Sequence, residues 1–135
     1  MISRAMTSLV NETDLAHRAT ELKRAFEQYE QALVDNDIEA MNAYFVDHED
    51  IVRFGIADEQ WGFSELVAWR RGAVAVPEGR ALSNTQLQLL GDNTAVITTL
   101  FSYPGRAVRG RQTQVWHYCD GRWLIANAHV SEREF

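Results

Sequence analysis

The dipeptide Asp120-Gly121 stands between two long β-rich runs, Gly110 to Cys119 and Arg122 to Ser131. An Asp-Gly pair in that setting calls for a tight hairpin turn, because both central residues need positive φ. The two runs must therefore be neighbours in one antiparallel ladder. Their cargo is unusual. Arg109, Arg111, Gln112, Gln114, His117, Asn127 and His129 are interspersed with β-branched and aromatic residues. A half-buried hairpin ordinarily keeps one face apolar. Mixed faces are expected where one of them lines a partly polar cavity.

Two further strands precede this hairpin. The expected set is Leu82 to Leu90, Thr94 to Tyr103, Val108 to Tyr118 and Arg122 to Ser131, with turns at Gly91-Asp92-Asn93, Pro104-Gly105-Arg106 and Asp120-Gly121. The first half of the chain is helical. Leu15, Ala19, Leu22, Phe26, Tyr29 and Leu33 follow one another at steps of three and four, the spacing of one helix face. This predicts a first helix from Asp14 to Val34, capped by Asn11 or Thr13. Asp35-Asn36-Asp37 ends it and caps a second helix from Ile38 to Phe45. After the polar turn Asp47-His48-Glu49-Asp50, residues Ile51 to Ile56 read as a short strand. A third helix follows Gly62, with Ser64 as its cap, and runs to Ala75 before Pro77 and Gly79.

Helices followed by a meander of long strands define an α+β domain, with the helices packed on one face of a curved, mostly antiparallel sheet. The 135 residues fit a single domain over 14–135 behind a flexible N-terminal arm at 1–13. No run approaches the roughly 20 apolar residues that span a bilayer, so no membrane role is expected. The single cysteine, Cys119, forms no intrachain disulfide and fits a reducing cytoplasm. A formal charge of −6 argues against nucleic acid as a partner but leaves room for a locally positive pocket. Asp47-His48-Glu49-Asp50 reads as a solvated turn, so no metal is expected. A homodimer is expected, because Trp116, Val115 and Phe101 on an outer sheet face would otherwise leave an apolar patch.

The order of elements resembles the cone-shaped nuclear-transport-factor-like, or SnoaL-like, superfamily. The local motifs are sharper. Ala25-Phe26-Glu27-Gln28-Tyr29-Glu30-Gln31-Ala32-Leu33, Val52-Arg53-Phe54-Gly55, Trp61-Gly62, Ala68-Trp69-Arg70, Gly110-Arg111-Gln112-Thr113-Gln114-Val115-Trp116 and Ala128-His129-Val130-Ser131 together resemble the AtzH-like small proteins, a group that includes the HpxZ-like proteins of oxalurate catabolism. That resemblance implies a decarboxylase of cyanuric acid breakdown, acting on dicarboxyurea to give allophanate. It assigns catalysis to Tyr29 and Arg53. The sequence departs from the HpxZ-like pattern after the third helix, where Ala73 stands in place of an arginine and Trp69-Arg70 is followed directly by Arg71.

An N-carboxylate loses carbon dioxide once its nitrogen is protonated, so such a site needs a proton donor and fixed positive groups. No cofactor is required. Tyr29 is the candidate donor. An unperturbed phenol titrates near pKa ~10, so the role calls for a nearby cation, and Arg53 would supply it. Arg53 could also grip a carboxylate with two parallel N–H bonds. Arg70, Gln114 and His129 are candidates for holding a small carboxylated urea-like substrate, with Trp69 and Phe54 as walls. Each residue has a plainer reading. Tyr29 could be a core tyrosine with a satisfied hydroxyl. Arg53 could be half of a buried ion pair with Glu27 or Glu30. Arg70 and Arg71 point about 100° apart on a helix, so one of them faces solvent. Gln112 and Gln114 could ladder with neighbouring strands, and His129 could be hydrogen-bonded structurally.

Three functions are open at this point. The first is a small-molecule lyase. The second is a non-catalytic accessory or small-anion-binding protein that associates with an amidase. The third is another SnoaL-like isomerase or hydratase.

Overall fold

A computed structural model describes residues 12–135, together with the backbone of a two-residue strand, β1 (Ile2–Ser3). The remainder of the arm expected at 1–13, including the Asn11 cap, lies outside the described residues. Three helices follow in the order expected: α1 (Glu12–Asp35), α2 (Ile38–Ala43) and, after the strands β2 (Val52–Phe54) and β3 (Glu59–Trp61), α3 (Phe63–Arg71). The long strands are β4 (Ala81–Leu89), β5 (Thr94–Ser102), β6 (Val108–Cys119) and β7 (Arg122–Glu134). They form one sheet in the order β1-β4-β5-β6-β7-β2-β3. Its neighbours are antiparallel except for β1 on β4 and β2 on β7. Among the described residues no helix is long and apolar enough to cross a membrane.

The helix boundaries follow from local chemistry. Glu12 and Asp14 place negative charge in the first turn of α1, where the helix dipole favours it. Thr13 lies inside this helix. Asn36 takes the left-handed conformation at φ 53° and ends it, while Asp37 N–H reaches back to Ala32 O at 2.9 Å. Asp37 then caps α2 by accepting from Ala40 N–H. Helix α3 is shorter than expected and ends at Arg71. Ser64 sits in its first turn and does not cap it. The cap is supplied from outside by Glu49, whose Oε1 accepts from Ser64 N–H and Oγ–H. The strand pair β2–β3 was only half legible, because β3 is three residues long and has one buried position.

Leu15, Ala19, Leu22, Phe26 and Tyr29 of α1 are buried against the concave face of the sheet, where Ile97, Trp116, Trp123 and Ile125 wait. Each fully buried residue of this kind contributes about 1.5–3 kcal/mol of hydrophobic stabilisation. The Asp120-Gly121 turn has φ of 53° and 76° and closes β6 on β7 as the sequence requires. Trp116 and Phe101 correct the expected outer patch. Strand alternation puts both on the concave face, at 0% and 3% exposure, while Val115 faces the other way and is half-buried. Of the three residues invoked for an outer apolar patch, only Val115 lies on that face.

One departure from regular pairing decides which side chains enter the interior. Val115 pairs with Asn127, but Trp116 pairs with Ile125. Ala126 is the extra residue of a β-bulge, and it reverses side-chain parity along β7. Trp123 and Ile125 are buried before the bulge and Ala128 after it, so Asn127 and His129 turn outward.

Gly110 sits under the Phe101 ring, where an added Cβ would come within 2.1 Å of the ring. Gly110→Ala should destabilise the fold by about 1–3 kcal/mol, the usual range for overpacking, read from the urea unfolding midpoint. A change below a few tenths of a kcal/mol would show that the ring is free to move.

Candidate active site

Between the helices and the concave face of the sheet lies a cavity of about 290 Å³. Residues 73–77, the irregular stretch after α3, form part of its rim. Its walls carry four arginines: Arg53, Arg70, Arg80 and Arg106. Taking these cations out of water is costly unless each is paired, so their partners define the site.

Arg53 is paired. Its Nη1 donates to Asp58 Oδ1 at 2.7 Å and to Gln60 Oε1 at 2.9 Å, and its guanidinium lies 4.4 Å from the Trp69 ring centroid. The plainer sequence reading of an ion pair is what the structure shows, but the acid is Asp58 and neither Glu27 nor Glu30. The register explains it. Arg53 stands opposite Gln60 in the β2–β3 ladder, and Asp58 lies two positions before Gln60. Without β3 in view, Asp58 could not be placed beside Arg53.

Arg80 is paired more deeply. Its Nε donates to Glu30 Oε1 at 2.8 Å, its Nη1 to the Tyr103 hydroxyl at 2.9 Å and its Nη2 to Gln112 Oε1 at 3.1 Å. Gln112 Nε2 closes the network on Glu30, and the Phe101 ring lies under the guanidinium at 4.3 Å. Burial pulls the Arg80 pKa down, but the hydrogen bond and charge of Glu30, with the Tyr103 hydroxyl, together raise it above its ordinary value. Sequence reasoning missed Arg80 and Tyr103. Their signal lay in the strand register: Ala81 pairs with Ser102, so the residues just outside that pair are brought together. Arg106, at the rim, is held by Glu132 at 3.2 Å.

Arg70 differs from the other three. It is only 3% exposed, yet among the described residues no carboxylate accepts from it. Its Nη1 meets Met41 Sδ at 3.0 Å, its Nη2 reaches the Tyr29 hydroxyl at 3.5 Å, and its buried Nε has no hydrogen-bond partner. The rings of Trp69 and Phe45 flank it at 5.3 and 5.7 Å. Arg71 is exposed, so the helical offset sends Arg70 inward and Arg71 to solvent. Tyr29 is itself buried, with its ring edge-on to Tyr44 and Phe45. Its hydroxyl opens on the cavity beside the one guanidinium of the four that has no acid among the described residues.

Among the remaining predicted residues, Gln114 and Trp69 line the cavity. Gln114 Oε1 accepts from Trp116 Nε1 at 3.0 Å, which leaves the Gln114 amide nitrogen as a donor. Phe54 and His129 are not brought to the cavity. They meet each other edge-on at 5.6 Å on the outer face, with Trp61 against Phe54. Phe54 follows Arg53 in a strand and must point the opposite way, and the bulge at Ala126 carries His129 outward with it. Among the described residues no group of three or more His, Cys, Asp or Glu side chains is placed to hold a metal. His48 sits in an exposed turn against Asp50.

A deep cavity between helices and a curved sheet defines an α+β protein of NTF2-like, or cystatin-like, architecture. Among solved structures, an NTF2-like protein of unknown function from Pseudomonas putida is similar at 20% identity and TM-score 0.71, over 86% of this chain and 87% of that one. More similar are a cystatin-like fold protein from Burkholderia xenovorans, at 39% identity and TM-score 0.82 over 86% and 92% of the two chains, and a protein of unknown function from Pectobacterium atrosepticum, at 33% identity and TM-score 0.82 over 92% and 94%. The chain belongs to the AtzH-like family, which it matches over residues 11–134. No curated protein matches it.

Two substitutions separate the paired from the unpaired arginine. Glu30→Gln strands the Arg80 charge and should cost about 3–5 kcal/mol of stability. Arg70→Met removes a buried charge that has no acid and should leave stability unchanged or raise it by about 1 kcal/mol. Thermal and urea unfolding of both variants checks this, and a large loss on Arg70→Met would mean that its charge is compensated within the protein.

Proposed function

We propose that this protein is a small-molecule lyase that decarboxylates an N-carboxylated urea, of the dicarboxyurea-to-allophanate type, in cyanuric acid or related ureide nitrogen catabolism. The supporting observation is the Tyr29–Arg70 pair: a buried phenol beside a buried guanidinium that no acid among the described residues neutralises, both on the wall of one cavity. A small anion completes that charge balance. Family membership is consistent with this reading.

In the step proposed, the bond between nitrogen and the carboxyl carbon breaks and its electron pair passes to nitrogen. Carbon dioxide leaves, and nitrogen takes the proton of the Tyr29 hydroxyl. The negative charge begins on the carboxylate and ends on the phenol oxygen, which water reprotonates. Arg70 faces that charge throughout, because its Nη2 is already directed at the phenol oxygen. Trp69 and Met41 keep this end of the cavity apolar, which suits the departure of a neutral molecule. Arg53, held by Asp58 and Gln60, takes a positioning role beside Trp69, so the cation partnered with Tyr29 is Arg70.

A second reading is favoured by the same Asp58 contact. With Arg53 neutralised, the cavity could hold a small anion without turning it over, as an accessory protein beside an amidase. An isomerase or hydratase acting on an apolar molecule is disfavoured by four arginines in the wall.

The test is decarboxylation of freshly prepared dicarboxyurea. Tyr29→Phe should lower kcat by about 10²–10⁴, the usual worth of a positioned proton donor, and Arg70→Met should lower it comparably. Arg53→Ala should act chiefly on KM. Equal activity in wild type and Tyr29→Phe sinks the lyase proposal. No turnover by wild type, together with co-purification of an amidase, supports the accessory role.

A further inference from the structure

Dicarboxyurea carries a carboxylate at each end, and the deep end of the cavity accounts for one of them. Arg53 stands beside Ala128 in the β2–β7 ladder, and Gln114 stands opposite Ala128 in the β6–β7 ladder. The Arg53 guanidinium lies 4.4 Å from the Trp69 ring centroid, and the Arg70 guanidinium lies 5.3 Å from the same centroid. Arg70, with Tyr29, therefore sits over the level of Ala128. Val130 continues the inward series of β7 along the cavity wall. Glu132 follows it, about 13 Å along the strand from Ala128. Arg106 meets Glu132 at that outer level. The two arginines thus stand at different depths of one cavity, Arg70 buried and Arg106 at the mouth.

Arg106 is also the paired arginine most open to a ligand. Arg80 has all three of its nitrogens engaged, by Glu30, Tyr103 and Gln112. Arg53 belongs to the inner level, and Asp58 matches its charge at 2.7 Å. Arg106 meets Glu132 through Nη2 alone, at 3.2 and 3.4 Å from the two carboxylate oxygens. Its Nε and Nη1 have no hydrogen-bond acceptor among the described residues. Its side chain is 42% exposed, so the ion pair is weak and the arm turns toward a ligand at little cost. Water reaches this end of the cavity, so a carboxylate bound here needs less compensation than one beside Arg70.

We propose that Arg106 is a substrate-binding residue that grips the outer, non-reacting carboxylate of a dianion whose reacting carboxylate lies between Tyr29 and Arg70. This rests on the lyase reading and names the group that holds the far end of its substrate. Loss of carbon dioxide removes the inner contact. The product keeps its one carboxylate at the mouth, on the most weakly held side chain of the wall, and leaves from there.

Glutarate has the chain length of dicarboxyurea and carries a charge at each end at neutral pH, while its monoamide, glutaramate, carries one charge. Isothermal titration should show wild type binding glutarate about tenfold more tightly than glutaramate. Arg106→Gln should weaken glutarate about tenfold and leave glutaramate unchanged, whereas Arg70→Met should weaken both. With dicarboxyurea, Arg106→Gln should raise KM about tenfold and hold kcat within about twofold. Equal binding of the two acids by wild type, a glutarate preference that survives Arg106→Gln, or binding of neither acid overturns the role of Arg106. So does an equal loss of both acids in Arg106→Gln, which marks a general charge at the mouth. The wild-type ratio is read without any variant. Failure of the lyase reading is seen separately, in equal turnover of dicarboxyurea by wild type and Tyr29→Phe.

Discussion

The direction of every side chain in the last strand turns on Ala126, the residue of the β6–β7 ladder with no opposite number. Before it, Trp123 and Ile125 fill the space under α1. After it, Ala128 and Val130 face the cavity. Regular pairing would have pointed Asn127, His129 and Ser131 inward and closed the cavity with polar groups. The bulge instead gives the cavity a small apolar floor at Ala128, directly opposite Gln114 and beside Arg53 in the two ladders that flank it. One inserted residue thus separates the core from the outer face along half the hairpin.

The second constraint is the burial of guanidinium groups, which keep their charge in a protein interior. Sequence-distant acids meet that demand at three of the four positions. The Glu30–Arg80 pair joins α1 to the entrance of β4, across 50 positions of sequence, and Gln112 and Tyr103 satisfy the remaining polar atoms around it. The Asp58–Arg53 pair is local, confined to one short hairpin. Among the described residues Arg70 has only a sulfur, two aromatic faces and a phenol. Soft, polarisable neighbours lower the cost of burying it without cancelling its charge. That combination leaves a residual field inside the cavity. In an interior of low effective dielectric such a field acts more strongly on an anion than any surface arginine could.

The α1 stripe at steps of three and four, the Asp-Gly turn and the four long strands were all legible, and their boundaries shift by only a few residues in the structure. Those features are local: period, turn chemistry and capping act over a handful of residues. Tyr29 was legible as a buried member of the stripe and Gln114 as a polar candidate for the cavity, although Trp116, on the same strand face, was expected to face outward. The partners of the arginines were not legible, because each depends on register between strands or on contacts across the fold. Phe54 and His129 were misplaced for related reasons. Phe54 was grouped with Arg53 although adjacent strand residues point apart, and His129 lies beyond a bulge that no local residue pattern marks.

By itself the sequence determined that a helical half would cover a long antiparallel meander and that a phenol would lie on the buried helix face; an arginine beside that phenol was implied only by the resemblance. The AtzH-like family match spans both the helical half and the meander. Which arginine keeps its charge free was decided only by tertiary structure. Arg53 and Arg70 are alike in sequence, each a cation among apolar neighbours. They differ because a carboxylate from the β2–β3 turn reaches the first and none among the described residues reaches the second. Coulomb attraction depends on distances of a few ångströms, and those distances are set by the pairing of strands and the packing of α3 against α2 and β3, which no local pattern along the chain encodes.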